Sequence, residues 1–80
     1  MRRSAAITGA IARAPGGAVT VLDPRPLVHV RVVYGRAVAV TVTHVLWEWV
    51  KAGEYHVRWD EKWQVRRVGV EQWGGESLGN

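Results

Sequence analysis

Valine recurs at every second position through two stretches of the chain. Val28, Val30 and Val32 alternate with His29 and Arg31, and Val38, Val40 and Val42 alternate with Ala37, Ala39, Thr41 and Thr43. A period of two marks a half-buried strand, because successive side chains leave a pleated backbone on opposite faces. Parity then predicts the connection. A two-residue loop would set valines against threonines, whereas a three-residue loop keeps the valines on one face. Val33-Tyr34-Gly35 fits, with glycine third, where a left-handed conformation is needed. Val30 is then expected opposite Val38, and Val28 opposite Val40.

Upstream, "ITGAIARAPGGAVTVL" (Ile7–Leu22) has two apolar stretches flanking Pro15-Gly16-Gly17. Proline presets φ and glycine supplies positive φ, so the segment predicts a first hairpin with Ala14 opposite Ala18 and Ile11 opposite Val21. Asp23-Pro24-Arg25-Pro26 predicts a corner, since two prolines break any ladder. Downstream the period changes. In "THVLWEWVKAG", Val45, Leu46, Trp49 and Val50 have helical spacing, with Thr43 as N-cap and Gly53 as terminator. A continued strand would place Trp47 and Trp49 on one face, but the helix is the reading preferred over 45–52. Tyr55, Val57 and Trp59 then alternate with His56 and Arg58, and a turn at Asp60-Glu61-Lys62 would make Trp59 and Trp63 a cross-strand pair. Arg66-Arg67 interrupts the alternation as a bulge would, and it resumes at Val68 and Val70. "GGESLGN" reads as a disordered tail.

The expected architecture is therefore all-β or β-rich: a small antiparallel hairpin sheet or partly open barrel with one short helix near 45–52. The alternative is α+β, an open sheet with that helix packed across one face. Residues 1–6 form a flexible N-terminus, 7–73 a single β-rich domain and 74–80 the tail. With 80 residues and no cysteine, the chain has one modest core and no disulfide or thiolate chemistry. Met1-Arg2-Arg3 before "SAAITGAIA" has the outline of a secretory signal, but Gly9 interrupts the apolar run and Arg13 ends it. No stretch approaches the ~20 apolar residues of a membrane span. The expectation is a cytoplasmic protein without membrane contact.

Charge directs attention to one surface. Eleven cations, all arginine except Lys51 and Lys62, stand against seven carboxylates, a net +4. "VHVRV" (Val28–Val32) and "YHVRW" (Tyr55–Trp59) repeat a histidine and an arginine two apart between apolar residues. Two strands sharing one basic, outward face would produce such a repeat. His29, Arg31, His56, Arg58 and Arg66, with Arg36 at a turn, are the candidate nucleic-acid contacts, because cations at strand spacing can track phosphates. Trp47, Trp63 and Trp73 are the candidate interaction residues. Without a His-x-x-His pair, a cysteine, a serine outside the chain ends or a phosphate-cradling glycine loop, no metal site, cofactor or catalytic residue is expected.

"VVYGRAVAV" followed by "VLWEWVKAGEY" resembles a small uncharacterised domain family of high-GC bacteria. It is also similar to segments associated with error-prone Y-family polymerase-like proteins. Gly35-Arg36, Val45-Leu46, Trp49, Gly53 and Glu54 carry the resemblance. It implies a DNA-metabolism setting and an adaptor role without catalysis. Two functions follow as expectations: a small non-catalytic nucleic-acid-binding module, or a protein-interaction or subunit module, homodimeric in one form, that uses exposed tryptophan and an edge strand.

Overall fold

The computed structural model describes residues 2–79. Its elements in order are helix α1 (Arg2–Ala12) and strands β1 (Thr20–Val21), β2 (Leu27–Val30), β3 (Val33–Val40), β4 (His44–Lys51), β5 (Glu54–Glu61) and β6 (Arg66–Arg67). A 3₁₀ turn at Lys62–Gln64 separates β5 from β6. The strands form one antiparallel open sheet in the order β5-β4-β3-β2-β6, with β1 beside the far end of β3. The protein is thus β-rich, with one α-helix among the described residues.

That helix lies at the N-terminus, not at 45–52, and replaces the first half of the hairpin expected over Ile7–Leu22. Four alanines give α1 high intrinsic helicity. Ile7, Ala10 and Ile11, at positions i, i+3 and i+4, pack against Val38, Ala39, Leu46, Val57 and Trp59. The Trp59 indole donates to the Ala10 carbonyl at 2.8 Å, pinning the helix to β5. Pro15 lacks an amide hydrogen and stops further winding. Residues 2–6, expected to be flexible, belong to α1, while Met1 lies outside the described residues.

The segment "VLWEWV" is the middle of β4. Both faces of the sheet are covered, so a central strand shows no period of two, and its β-branched and aromatic residues favour extended backbone. Gly53 ends no helix. It forms the β4–β5 turn with Ala52, both at positive φ (79° and 52°), closing the Lys51–Glu54 pair. This is a type I′ hairpin turn.

The β2–β3 turn also differs from expectation. It comprises Arg31 and Val32, with Val30 opposite Val33 and Val28 opposite Gly35. Arg31 takes the positive φ (55°) expected of a glycine. Gly35 serves a different purpose: a Cβ there would overlap the Glu48 carbonyl oxygen and crowd the Trp47 ring. It permits β3 and β4 to approach. Further along, the register slips between Ala37 and Ala39, so Val38 and Ala39 both join the cluster under α1. The Asp23–Pro26 corner lies between β1 and β2, as expected.

After β5 the chain must reach the opposite edge of the sheet, so residues 62–65 cross the face that α1 leaves free. Val65 packs there on the cluster of Val28, Val30, Ala37, Val45 and Trp47. Trp63 consequently leaves Trp59 and stands 71% exposed. Arg66-Arg67 is not a bulge but β6, paired with His29 and Val28.

The segment expected as a disordered tail is packed. The Trp73 indole donates to the Gly35 carbonyl at 3.0 Å. The Glu76 carboxylate accepts the Ala52 and Gly53 amides at 2.7 and 3.2 Å. Leu78 is buried, and Arg3 donates to its carbonyl.

Candidate nucleic-acid interface

Directly opposed residues of an antiparallel pair share a face. His29 lies opposite Tyr34, next to the Arg36–Glu48 pair, and therefore on the side of α1. His56 lies opposite Trp49, and Arg58 opposite Trp47, on the other side. The two histidines thus point in opposite directions, and the single basic face expected from the repeat does not form, although Arg31, at the turn, lines a cleft with Arg58. The reason is that neither face is left to solvent: the apolar side of β2 is the polar side of β5.

Arg36 is withdrawn from the candidate set by a charge. Glu48, 1% exposed on β4, accepts from Arg36 Nε at 3.0 Å and Nη2 at 2.9 Å, from Arg25 Nη1 at 2.9 Å and from the Tyr55 hydroxyl at 2.7 Å. This network satisfies the carboxylate fully, as a buried charge requires. Burial, then the hydrogen bond to Glu48 and the Glu48 charge, push the Tyr55 phenol well above its ordinary value. Arg3 stacks on the Tyr55 ring at 4.7 Å. Arg25, Glu48 and Tyr55 were not anticipated. The signal was a glutamate inside an apolar run, which has to find cations once that run is buried.

On the face away from α1, Trp47 is core, 1% exposed, and donates to Asp60 Oδ2 at 2.7 Å. It does not act as an exposed interaction residue. Trp49 stacks on Trp47 at 4.2 Å and on His56 at 5.0 Å between centroids. Arg58 lies 5.7 Å from the Trp49 centroid and is bridged to Asp60 at 2.8 Å. Trp73 is half-buried, its edge against Tyr34. Of the three candidate tryptophans only Trp63 is open.

What the fold does bring together is a pair of clefts. One, of about 290 Å³, lies between the β2–β3 turn and the 3₁₀ turn and is lined by His29, Val30, Arg31, Trp63, Gln64 and Arg66. The other, of about 310 Å³, runs from Arg31–Val33 past Gln64 to Trp47, Trp49 and Arg58. They share Val30, Arg31 and Gln64. Among the described residues no carboxylate lines either cleft, although Asp60 stands behind Arg58 and Glu61 behind Trp63. Arg31 lines both clefts, between Arg66, opposite His29 on the side of α1, and Arg58 on the other side, and His56 stays in the stack beside the second.

Among the described residues no group of three or more His, Asp or Glu is placed to hold a metal ion, and no helix is long and apolar enough to cross a membrane. No family model, curated protein or solved structure matches the chain.

Proposed function

We propose that the protein is a small non-catalytic module that binds nucleic acid through the joined clefts. The observation that carries this reading is the meeting of unpaired Arg31 and Arg66 in a cleft without a lining carboxylate, with Arg58 in the adjoining cleft that Arg31 also lines. Phosphates are bound by cations that acids do not neutralise, and Arg31 and Arg66 are exposed and outside every ion pair among the described residues. The backbone of Arg31 adds support. Its turn favours glycine, so an arginine there is held at a conformational cost of ~1–3 kcal/mol, and such outliers cluster at functional sites. The resemblance to segments of Y-family polymerase-like proteins supports a DNA-metabolism setting, with the protein as a cytoplasmic adaptor.

Fluorescence anisotropy with a labelled oligonucleotide, titrated at several salt concentrations, tests the reading. Two phosphates engaged by the two unpaired arginines of the cleft, Arg31 and Arg66, give a log–log salt slope of about −1.4 to −1.8. Arg31→Gly separates binding from folding: it weakens binding and flattens the slope by about one unit, yet raises stability by ~1 kcal/mol as the turn relaxes. A variant that binds as tightly as the parent would count against the site.

A protein-interaction or subunit role, homodimeric or otherwise, is the second reading. Exposed Trp63 and the outer edge of β5 favour it. Glu54, Arg58, Asp60 and Glu61 along that edge oppose strand addition, because charged side chains blunt an edge.

A further inference from the structure

We infer that the ligand is single-stranded, with a base laid on the face of Trp63 and its flanking phosphates held by Arg31 and Arg66. The inference rests on the nucleic-acid reading and narrows it.

Duplex grooves are read by an element that protrudes, a helix or a two-stranded ribbon. Neither α1 nor the β4–β5 hairpin offers one. The helix α1 is laid flat across the sheet, its apolar stripe consumed by Val38, Leu46 and Trp59. The tip of the β4–β5 hairpin is capped by the Glu76 carboxylate and followed by Glu54, which would repel a phosphate backbone. The basic groups instead surround a recess, and a recess suits a strand whose bases can be splayed out.

Trp63 supplies the stacking surface. It is the most exposed aromatic side chain of the chain at 71%, in a domain that otherwise buries or half-buries its tryptophans. Trp49 is already engaged by the rings of Trp47 and His56. The Trp63 indole is nonetheless held in place, because its Nε1 donates to Glu61 Oε1 at 2.6 Å. The 3₁₀ turn fixes its backbone. A ring anchored by its edge, with its face free, stacks on a base while giving up little freedom. Beside it in the same cleft, Gln64 offers both an amide donor and a carbonyl acceptor to a base edge, and Arg31 at a turn and Arg66 on a strand stand along the walls. Aromatic stacking of this kind tolerates any base, so little sequence preference is expected.

The test compares a labelled twelve-nucleotide oligothymidine with a twelve-base-pair duplex, against the full chain and its Trp63→Ala, Trp63→Phe and Arg31→Gln/Arg66→Gln variants. Circular dichroism checks that each variant is folded, and light scattering its mass. The single strand should bind at least tenfold more tightly than the duplex at low salt. Trp63→Ala should weaken it about tenfold with the salt slope unchanged, and Trp63→Phe should restore most of the loss. The double arginine variant should flatten the single-strand slope by about 1.4. Equal or tighter binding of the duplex, or single-strand affinity indifferent to Trp63→Ala, would overturn the inference and leave the nucleic-acid reading standing. A chain that binds neither oligonucleotide at micromolar concentration would remove both. A stable dimer that Trp63→Ala converts to monomer would assign Trp63 to a protein contact and overturn the inference as well.

Discussion

Glu48 is the residue on which the sheet most depends. Its carboxylate is out of water and is balanced by Arg25, Arg36 and the Tyr55 hydroxyl. Glu48→Ala would leave two guanidinium groups facing a void, and breaking a buried pair typically costs about 3–5 kcal/mol. Against the ~5–15 kcal/mol that holds a typical domain together, that is a large fraction. Urea unfolding should show the loss directly, and a change below about 1 kcal/mol would mean that water reaches the site. Tyr55 adds a pH dependence. The fold retains its phenolic proton where the unfolded chain sheds it, so its contribution is complete below about pH 10 and declines as pH rises beyond that. Tyr55→Phe should therefore lose less stability than the parent between about pH 9 and 11, measured as urea midpoints. Parallel curves would assign the alkaline loss to other groups. None of this network could be paired from the sequence alone. A glutamate in "VLWEWV" announces a need for cations, but only the β3–β4 register and the proline corner select Arg36 and Arg25 from nine arginines.

Elements were legible where local chemistry and tertiary context agree. The corner at Asp23–Pro26, the strand character of Val28–Val30 and the alternation through Tyr55–Trp59 all follow from pattern and turn residues, and all are present. The failures have distinct causes. Ile7, Ala10, Ile11 and Ala14 carry a helical stripe among alanines, but the glycine pair after Pro15 suggested a hairpin and outweighed it. β4 mimics a helix in sequence because a strand buried on both faces has no alternation to display. Gly35 has the signature of a turn residue, yet it answers the close approach of Glu48, and the β2–β3 turn lies earlier, at Arg31 and Val32. At the other hairpin, Ala52 holds a left-handed φ that glycine adopts without strain. Ala52→Gly should raise stability by about 0.5–1 kcal/mol in chemical denaturation, since the amide to Glu76 is kept. A loss would show that the alanine methyl makes a contact that matters more than the turn.

At the scale of the whole molecule, the sheet is covered on both sides, by α1 on one and by residues 62–65 on the other. That arrangement divides the two histidines of the repeated motif between two faces and places Arg31, Arg58 and Arg66 along the clefts beside the 3₁₀ turn. Composition announced a basic protein, whereas only the crossing of residues 62–65 determines where Arg66 and Trp63 meet Arg31. The contact between Arg3 and the Leu78 carbonyl has a topological consequence. The first and last described segments of the backbone lie within reach of one arginine side chain, so their order can be rotated without moving any strand. Joining Gly79 to Arg2 by a short glycine-serine linker, and opening the chain between the exposed Val42 and Thr43, should yield a circular permutant with the same sheet. Its unfolding free energy should fall within ~1–2 kcal/mol of the parent, and loss of the β-sheet dichroism would refute this. By the same geometry the domain can be spliced into a surface loop of a host protein, leaving the host's two flanking segments side by side.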